Sequence, residues 1–323
     1  MVCPPVLFII FNRPDLTQRV FARIREARPA SLFIAADGPR PDYPGEKQIC
    51  VVTRCVVDQV DWPCEVKVLF QEQNLGCKIA PSLAISWFFE KEKEGIILED
   101  DCLPDSSFFS FCAELLERYR NESRVMMISG NYFAGEKHRP TESYYFSRYT
   151  QTWGWATWRR VWQYYDLQMM KWPQLKRTNF LSQLADGDKY FISYWSEIFD
   201  MAYAGKINAW DYQFIFACWV NHGLSILPSK NLVKNIGFGT DATHTFDDGC
   251  WIAKLPLQRI EFPLIHPISI ERNIAVDSWY NRHVFSTPFI SLLKTWVMQQ
   301  PGGDVMAKMY RFFKKLLYRG NKL

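Results

Sequence analysis

Residues 95–101 read Gly-Ile-Ile-Leu-Glu-Asp-Asp, an apolar run that ends in three consecutive acids. A short continuous apolar run bounded by polar residues is typical of a strand buried on both faces of a sheet. The run therefore predicts a buried strand over 95–99, with Glu99, Asp100 and Asp101 where the chain leaves the core. Because neighbouring carboxylates repel one another and burial penalises each charge, these acids require a counter-charge.

Short apolar runs alternate with helical patterns through the first 130 residues. The predicted strands are 6–11, 32–36, 66–70, 95–99 and 125–129, and the predicted helices begin near residue 16 and cover 47–59, 79–91 and 106–119. This alternation predicts an α/β fold of Rossmann-like type, with a mostly parallel central sheet flanked by helices. Ligands of such sheets bind beyond the carboxyl ends of the strands, so the polar residues that follow each strand are the candidates for function.

The chain changes character after about residue 130, which divides it into 1–130, 131–248 and 249–323. The middle part is rich in aromatic residues, with predicted helices over 189–204 and 210–221 and a strand over 224–228. The last part has no recognisable motif before 305–318, where apolar residues alternate with Lys and Arg. That pattern predicts a basic amphipathic helix, which either packs its apolar side on the protein or lies on an anionic membrane surface.

The overall composition excludes some classes of protein. The 323 residues carry 38 Lys and Arg against 34 Asp and Glu, and this net charge of +4 does not indicate a nucleic-acid-binding protein. A hydrophobic content of 48% excludes a disordered chain. Nine cysteines without a CxxC pair suit a reducing, cytoplasmic setting. No uncharged apolar run reaches the roughly 20 residues that a membrane-spanning helix needs.

The three acids after residue 98 predict a site for a divalent cation. Mg²⁺ typically takes one or two carboxylates together with diphosphate oxygens, and Mn²⁺ accepts the same ligands. The alternative is that the acids cap the helix that begins near Pro104, where Asp105 is already a suitable N-cap. Three acids are more than a cap needs.

This region resembles the GT-A family of nucleotide-sugar glycosyltransferases. Residues 97–101, followed by Pro-Asp-Ser-Ser-Phe-Phe at 104–109, are similar to the metal-binding region of the N-acetylglucosaminyltransferase I family and of uncharacterised bacterial glycosyltransferases. The resemblance implies Mn²⁺ or Mg²⁺ bound by Asp101. It also implies that Glu99 and Asp100 contact the ribose and the donor sugar.

The resemblance extends to other strand ends. Phe-Asn-Arg-Pro at 11–14 implies that Arg13 faces the base or the diphosphate, and Ala-Asp-Gly at 36–38 implies that Asp37 binds uracil. The loop at 74–78 implies a phosphate contact from Lys78. From the residues alone, Arg13 and Lys78 fit surface salt bridges equally well.

Two tryptophan motifs of the middle part resemble further elements of the family. Trp-Gly-Trp at 153–155 implies that Trp155 lies beside the donor sugar, whereas a plain aromatic core is the alternative. Trp-Asp at 210–211 implies that Asp211 is the catalytic base, and its alternative is a first-turn acid favoured by the helix dipole. Asp186 and Asp188 are the next candidates for the base.

The loop 237–244 ends in His244, which fits the family's habit of supplying a late histidine to the metal or diphosphate. A histidine with a purely structural role is the alternative.

Together these features imply a metal-dependent, inverting glycosyltransferase that moves a sugar from a UDP-sugar donor to a glycan or lipid-linked acceptor. On this interpretation 1–130 binds the nucleotide-sugar, 131–248 binds the acceptor, and 249–323 is an extension. The protein would act in the cytoplasm, with the C-terminal helix as a peripheral contact to the membrane, and would not bind nucleic acid.

Two other functions would explain parts of the sequence. A sugar-nucleotide nucleotidyltransferase would share the sheet and the acids, but residues 11–15 lack the Gly-rich basic loop that grips a triphosphate. A noncatalytic carbohydrate-binding protein would explain the aromatic residues, but not the acids at a strand end.

Overall fold

The structure, a computed structural model, describes residues 2–238 and 251–285. In these ranges the strands are β1 (Val6–Ile10), β2 (Ser31–Ala36), β3 (Glu65–Phe70), β4 (Glu94–Glu99), β5 (Cys102–Pro104), β6 (Val125–Ser129), β7 (Tyr144–Ser147), β8 (Trp155–Trp158), β9 (Leu224–Pro228) and β10 (Val233–Asn235). The α-helices are α1 (Pro14–Ala27), α2 (Glu46–Arg54), α3 (Gly76–Lys91), α4 (Ser106–Arg118), α5 (Arg159–Trp162), α6 (Trp172–Leu175), α7 (Phe180–Leu184), α8 (Lys189–Tyr203), α9 (Asp211–Val220) and α10 (Ile274–His283). Short 3₁₀ helices cover Cys55–Gln59, Glu136–His138 and Trp251–Lys254.

Eight of these strands form the central sheet in the order β3-β2-β1-β4-β8-β6-β9-β7. The first four pair in parallel, and β8 lies antiparallel between β4 and β6. β6 and β9 are parallel, and β7 closes the edge in the antiparallel direction. The predicted α/β fold with a mostly parallel sheet flanked by helices is confirmed.

The parallel half follows directly from the apolar runs. In β1 the residues from Val6 to Phe8 are fully buried, as continuous apolar strands of parallel sheets are. Proline at the first position of α1 suits the helix start, and Val20, Phe21 and Ile24 on its inner face are buried.

The sheet continues across residue 130, where the sequence suggested a boundary. Its later strands β7, β8 and β9 all follow that residue, and β8 returns to pair with β4. The segment 251–285, for which no element was predicted, contributes α10. The Tyr280 hydroxyl on this helix accepts a hydrogen bond of 2.8 Å from the Phe133 backbone N–H, so the segment is packed on the body of the protein.

None of the helices in the described ranges is long and apolar enough to cross a bilayer. His244 and the basic segment 305–318 lie outside the described residues.

Candidate active site

The carboxyl ends of β1 to β4 face the start of α9 across a cavity of about 510 Å³. The strand ends contribute Arg13, Asp37, Gln71 and the acids 99–101, and the α9 side contributes Trp210 and Asp211. Residues far apart in the sequence are thus brought together at the sheet edge where ligands of such folds bind.

Arg13 is the counter-charge of the acidic cluster in this structure. It lies between β1 and α1, where its guanidinium pairs with Asp100 and places Nη1 3.0 Å from Asp101 Oδ2. Asp100 and Asp101 are only 2% and 8% exposed, and the Phe11 backbone N–H donates to Asp100 Oδ2 at 3.2 Å. The expectation was that Arg13 would face a ligand; here it contacts the acids that a ligand or cation would approach.

Even with Arg13 in place, Glu99 and Asp100 hold their negative charges poorly. Burial, reinforced by the charges of Asp101 and Asp100, raises the pKa of Glu99 to about 8. Burial likewise raises the pKa of Asp100 to about 6, although Arg13 opposes the rise. The site therefore has an electrostatic demand for positive charge that one arginine does not meet.

The backbone at residue 237 closes over this cluster. β10 pairs with β5, and the N–H of Ile236 donates to the carbonyl of Asp101 at 2.8 Å. A Cβ at Gly237 would lie 2.3 Å from Asp101 Oδ2 and 2.7 Å from Arg13 Nη1, so a side chain there would displace the ion pair. The sequence pointed to this loop only for His244.

Asp37 lies at the end of β2 and lines the cavity, but its carboxylate is fully used. Oδ1 accepts the backbone N–H groups of Gly38 and Leu75 at 2.8 and 2.9 Å. Oδ2 accepts the side chain of Asn74 at 3.0 Å and the N–H of Gly76 at 2.9 Å. A carboxylate has about four lone-pair sites, so in this arrangement Asp37 organises the loop and has none left for uracil.

Asp211 is the first residue of α9 and borders the same cavity. Its Oδ1 accepts the backbone N–H of Tyr212 at 3.1 Å, as a first-turn acid can. Besides burial and the acids 101 and 100, the charge of Asp211 also raises the pKa of Glu99. Asp211 therefore lies within electrostatic reach of the acidic cluster.

The two tryptophans of the Trp-Gly-Trp motif have different surroundings. Trp155 is fully buried in β8 and stacks on Trp210 with ring centroids 5.5 Å apart, and it does not line the cavity. Trp153 does line the cavity, beside Phe238 at 5.7 Å. Contact with a ligand would fall to Trp153 and Trp210 rather than to the ring of Trp155.

The remaining candidates lie outside the cavity lining. Lys78 is in the first turn of α3, whose neighbours Gly76 and Cys77 line the cavity while Lys78 does not. Asp186 pairs with Arg148 and Arg272, and Asp188 caps α8. Neither acid is placed to take a proton from a molecule in the cavity.

Among the described residues, no three His, Cys, Asp or Glu side chains form a ready-made metal site. Asp100 and Asp101 nevertheless present carboxylate oxygens side by side at the cavity. A magnesium-type cation needs only one or two such ligands when substrate phosphates and water complete its shell. The residues fit a cation that binds together with a phosphorylated substrate.

No protein-family model matches the sequence, and no curated protein matches it. Among solved structures, the chain is similar to residues 1–349 of TarS from S. aureus, with a TM-score of 0.41 and 8% identity. That match covers 71% of this chain and 59% of the TarS chain, which is less than two thirds of it. HddC from Yersinia pseudotuberculosis is similar with a TM-score of 0.29 and 7% identity, over 49% of this chain and 78% of the other. Neither similarity is close enough to identify a family.

Proposed function

We propose that this protein is a metal-dependent glycosyltransferase of GT-A type, which moves a sugar from a UDP-sugar to a hydroxyl of a glycan or lipid-linked acceptor with inversion. One observation carries the proposal: the acidic cluster after β4 and the carboxylate of Asp211 border one cavity of about 510 Å³. A cavity of that size lies in the range of small-molecule sites.

The charge around the cavity supports a cation as the partner of the donor. The described residues that line it include five acidic side chains, namely Asp37, Asp211 and residues 99–101, and two guanidinium groups, on Arg13 and Arg40, so the acids outnumber the arginines even if Glu99 is protonated. A nucleoside diphosphate alone would meet net repulsion here. A divalent cation would reduce that repulsion because it is attracted both to the acids and to the phosphates.

Asp101 and Asp100 would hold Mn²⁺ or Mg²⁺, and when bound the cation would offset the charge that develops on the departing diphosphate. The carboxylate of Asp211 would take the acceptor's hydroxyl proton as that oxygen attacks the anomeric carbon and the bond to the diphosphate breaks. His244 as a further ligand, and 305–318 as a contact to the inner face of the membrane, are proposed on the sequence alone.

Part of the cavity lining is apolar and aromatic. Trp153, Met201 and Ile207 contribute to this side of the cavity. The ring faces of Trp side chains suit the apolar faces of sugars, so this side is proposed to hold a glycan acceptor.

Calorimetry with UDP tests the proposal. The wild-type protein should bind UDP only when Mn²⁺ is present, and Asp101→Ala should abolish that binding because it removes the principal ligand of the cation. Asp105→Ala is the matched control: its carboxylate caps α4, so its loss should cost about 1 kcal/mol of stability but leave UDP binding intact.

Other outcomes would replace the proposal. Sugar binding without metal or nucleotide would identify a carbohydrate-binding protein. Formation of a nucleotide-sugar from a nucleoside triphosphate and a sugar phosphate would identify a nucleotidyltransferase.

A further inference from the structure

The loop that follows β3 is fastened to Asp37, which prevents that acid from turning towards a ligand. Besides the four hydrogen bonds to its carboxylate, the two loops are in close backbone contact. A Cβ at Gly38 would lie 2.3 Å from the backbone carbon of Gln73. Releasing the Asp37 carboxylate would leave three backbone N–H groups without their acceptor, which is costly in a partly buried loop.

Gln71 is the next polar residue along the same edge. Its backbone N–H donates to the Ala36 carbonyl at 2.9 Å, and its own carbonyl accepts from Arg54 at 2.7 Å. Gln71 lines the cavity, and within the described residues its side-chain amide takes part in none of the hydrogen bonds. The amide is therefore the part of Gln71 available to a ligand.

Arg54 holds this position in place. Its Nη2 donates to the carbonyls of both Asp37 and Gln71, at 3.0 and 2.7 Å, and its guanidinium lies 5.0 Å from the centre of the Phe70 ring. These contacts fix the ends of β2 and β3 relative to each other. The backbone that carries the Gln71 side chain is thereby preorganised, and only the side chain has to be ordered when a ligand binds.

The distance from Gln71 to the acidic cluster suits a nucleotide. The sheet order places β3 three strand spacings from β4, which is about 14 Å. A nucleoside diphosphate laid along the sheet edge, with its phosphates at the acids, brings its base to β3. A primary amide offers one acceptor and two donor hydrogens, which matches the N3–H and the neighbouring carbonyl of uracil.

From this placement, and resting on the proposed function, we infer that the side-chain amide of Gln71 forms hydrogen bonds with the base of the donor nucleotide and that Asp37 does not. Gln71 is then the residue that determines nucleotide specificity, while Asp37 and Arg54 position it.

Calorimetry with Mn²⁺ and two probes, UDP and pyrophosphate, tests the inference. Gln71→Leu should weaken UDP binding about tenfold, as loss of a hydrogen-bonded pair does, and leave pyrophosphate binding unchanged. Gln73→Leu is the matched control, because Gln73 lies on the same loop but is exposed and outside the cavity lining. It should bind both probes like the wild type.

The outcomes separate the two proposals. Two results would overturn the role of Gln71 while the proposed function stands, provided that the wild type binds UDP. In the first, Gln71→Leu binds UDP as well as the wild type does. In the second, the substitution weakens the binding of UDP and of pyrophosphate to the same extent. If the wild type fails to bind UDP with Mn²⁺, both proposals are overturned. Should Gln71→Leu fold poorly, Gln71→Asn keeps the amide but shortens its reach, and the same loss confined to UDP is expected.

Discussion

The guanidinium of Arg13 stands where a cation is expected to act. It pairs with Asp100 and Asp101 at the mouth of the cavity, with its own side chain 24% exposed. An ion pair so little exposed is costly to break from one side, because the remaining charges lose their partner in a poorly solvated place. Arg13 therefore stabilises the folded protein at the acidic cluster when no cation is bound.

Replacing Arg13 by glutamine should show this directly. Arg13→Gln should lower the free energy of unfolding by about 2–3 kcal/mol without metal, because Asp100 and Asp101 lose their counter-charge. Added Mn²⁺ should then raise the Tm of the variant more than that of the wild type. Thermal unfolding with and without Mn²⁺ measures both effects.

Arg23→Gln is the control, since Arg23 pairs with Glu26 on the exposed face of α1 and should matter little. Equal Tm shifts with Mn²⁺ in wild type and Arg13→Gln would show that Arg13 does not compete with the cation for this cluster.

Asp211 allows a second test, in which a single carboxylate is changed. Asp211→Asn keeps the shape of the side chain but removes its ability to take a proton. Turnover should fall by about 100- to 10,000-fold, while UDP and Mn²⁺ bind as before. Asp186→Asn should retain turnover, because Asp186 contacts Arg148 and Arg272 away from the cavity. The reverse pattern in a transfer assay would move the base to Asp186.

At the scale of elements, β8 joins the two halves of the sheet, and like β5, β7 and β10 it was not predicted from the sequence. Its residues 155–158 are all buried, so they show neither the alternation of a half-exposed strand nor the polar end of a parallel one. Their sequence indicates an aromatic cluster and not a strand. The parallel strands β1 to β4 were predictable because each combines an apolar run with a polar end.

The tryptophans at this strand should separate packing from binding. Trp155→Ala should cost about 3–5 kcal/mol in denaturant unfolding, since the ring is fully buried against Trp210. Trp153→Ala should cost less, because that ring borders the cavity, and should instead raise the KM for the acceptor. If Trp155→Ala were the variant with near-normal stability and a raised KM for the donor, the predicted place of Trp155 beside the donor sugar would be restored.

The site was predictable in its members more than in their contacts. The acids 99–101, Arg13 and Asp37 follow strands, and the parallel topology brings strand ends together. Two of these contacts could not be predicted: Arg13 pairs with the acids, and Asp37 accepts hydrogen bonds from the loop at 74–76. Both depend on side chains and backbone groups that lie 37 to 88 positions away along the chain. No local pattern contains that information.

At the scale of the whole molecule, buried ion pairs and hydrogen bonds attach the segment 251–285 to the rest of the protein. Asp277 on α10 is fully buried, accepts from Ser147 and from the Arg148 backbone N–H at 3.1 Å, and lies near two guanidiniums. Burial raises the pKa of Asp277 although these partners favour its charged form. The network connects α10 to the strand β7.

Removing this carboxylate should loosen the entire connection. Asp277→Ala should lower the free energy of unfolding by about 3–5 kcal/mol, because Arg148 and Arg272 would be left with a single acid between them. Denaturant unfolding measures the change. Asp61→Ala, which breaks an exposed pair with Arg25, should have little effect. Equal midpoints for the two variants would mean that α10 contributes little to global stability.

Because β8 lies between β4 and β6, the central sheet can be completed only after β8 has been synthesised. During synthesis, β4 leaves the ribosome about 60 residues before β8, the strand that pairs with its open edge. In that interval a nascent chain presents unpaired backbone groups along a hydrophobic edge, the kind of surface that invites pairing between chains. A fragment cut after residue 130 would retain that exposed edge permanently, and so would tend to aggregate rather than persist as an isolated half of the sheet.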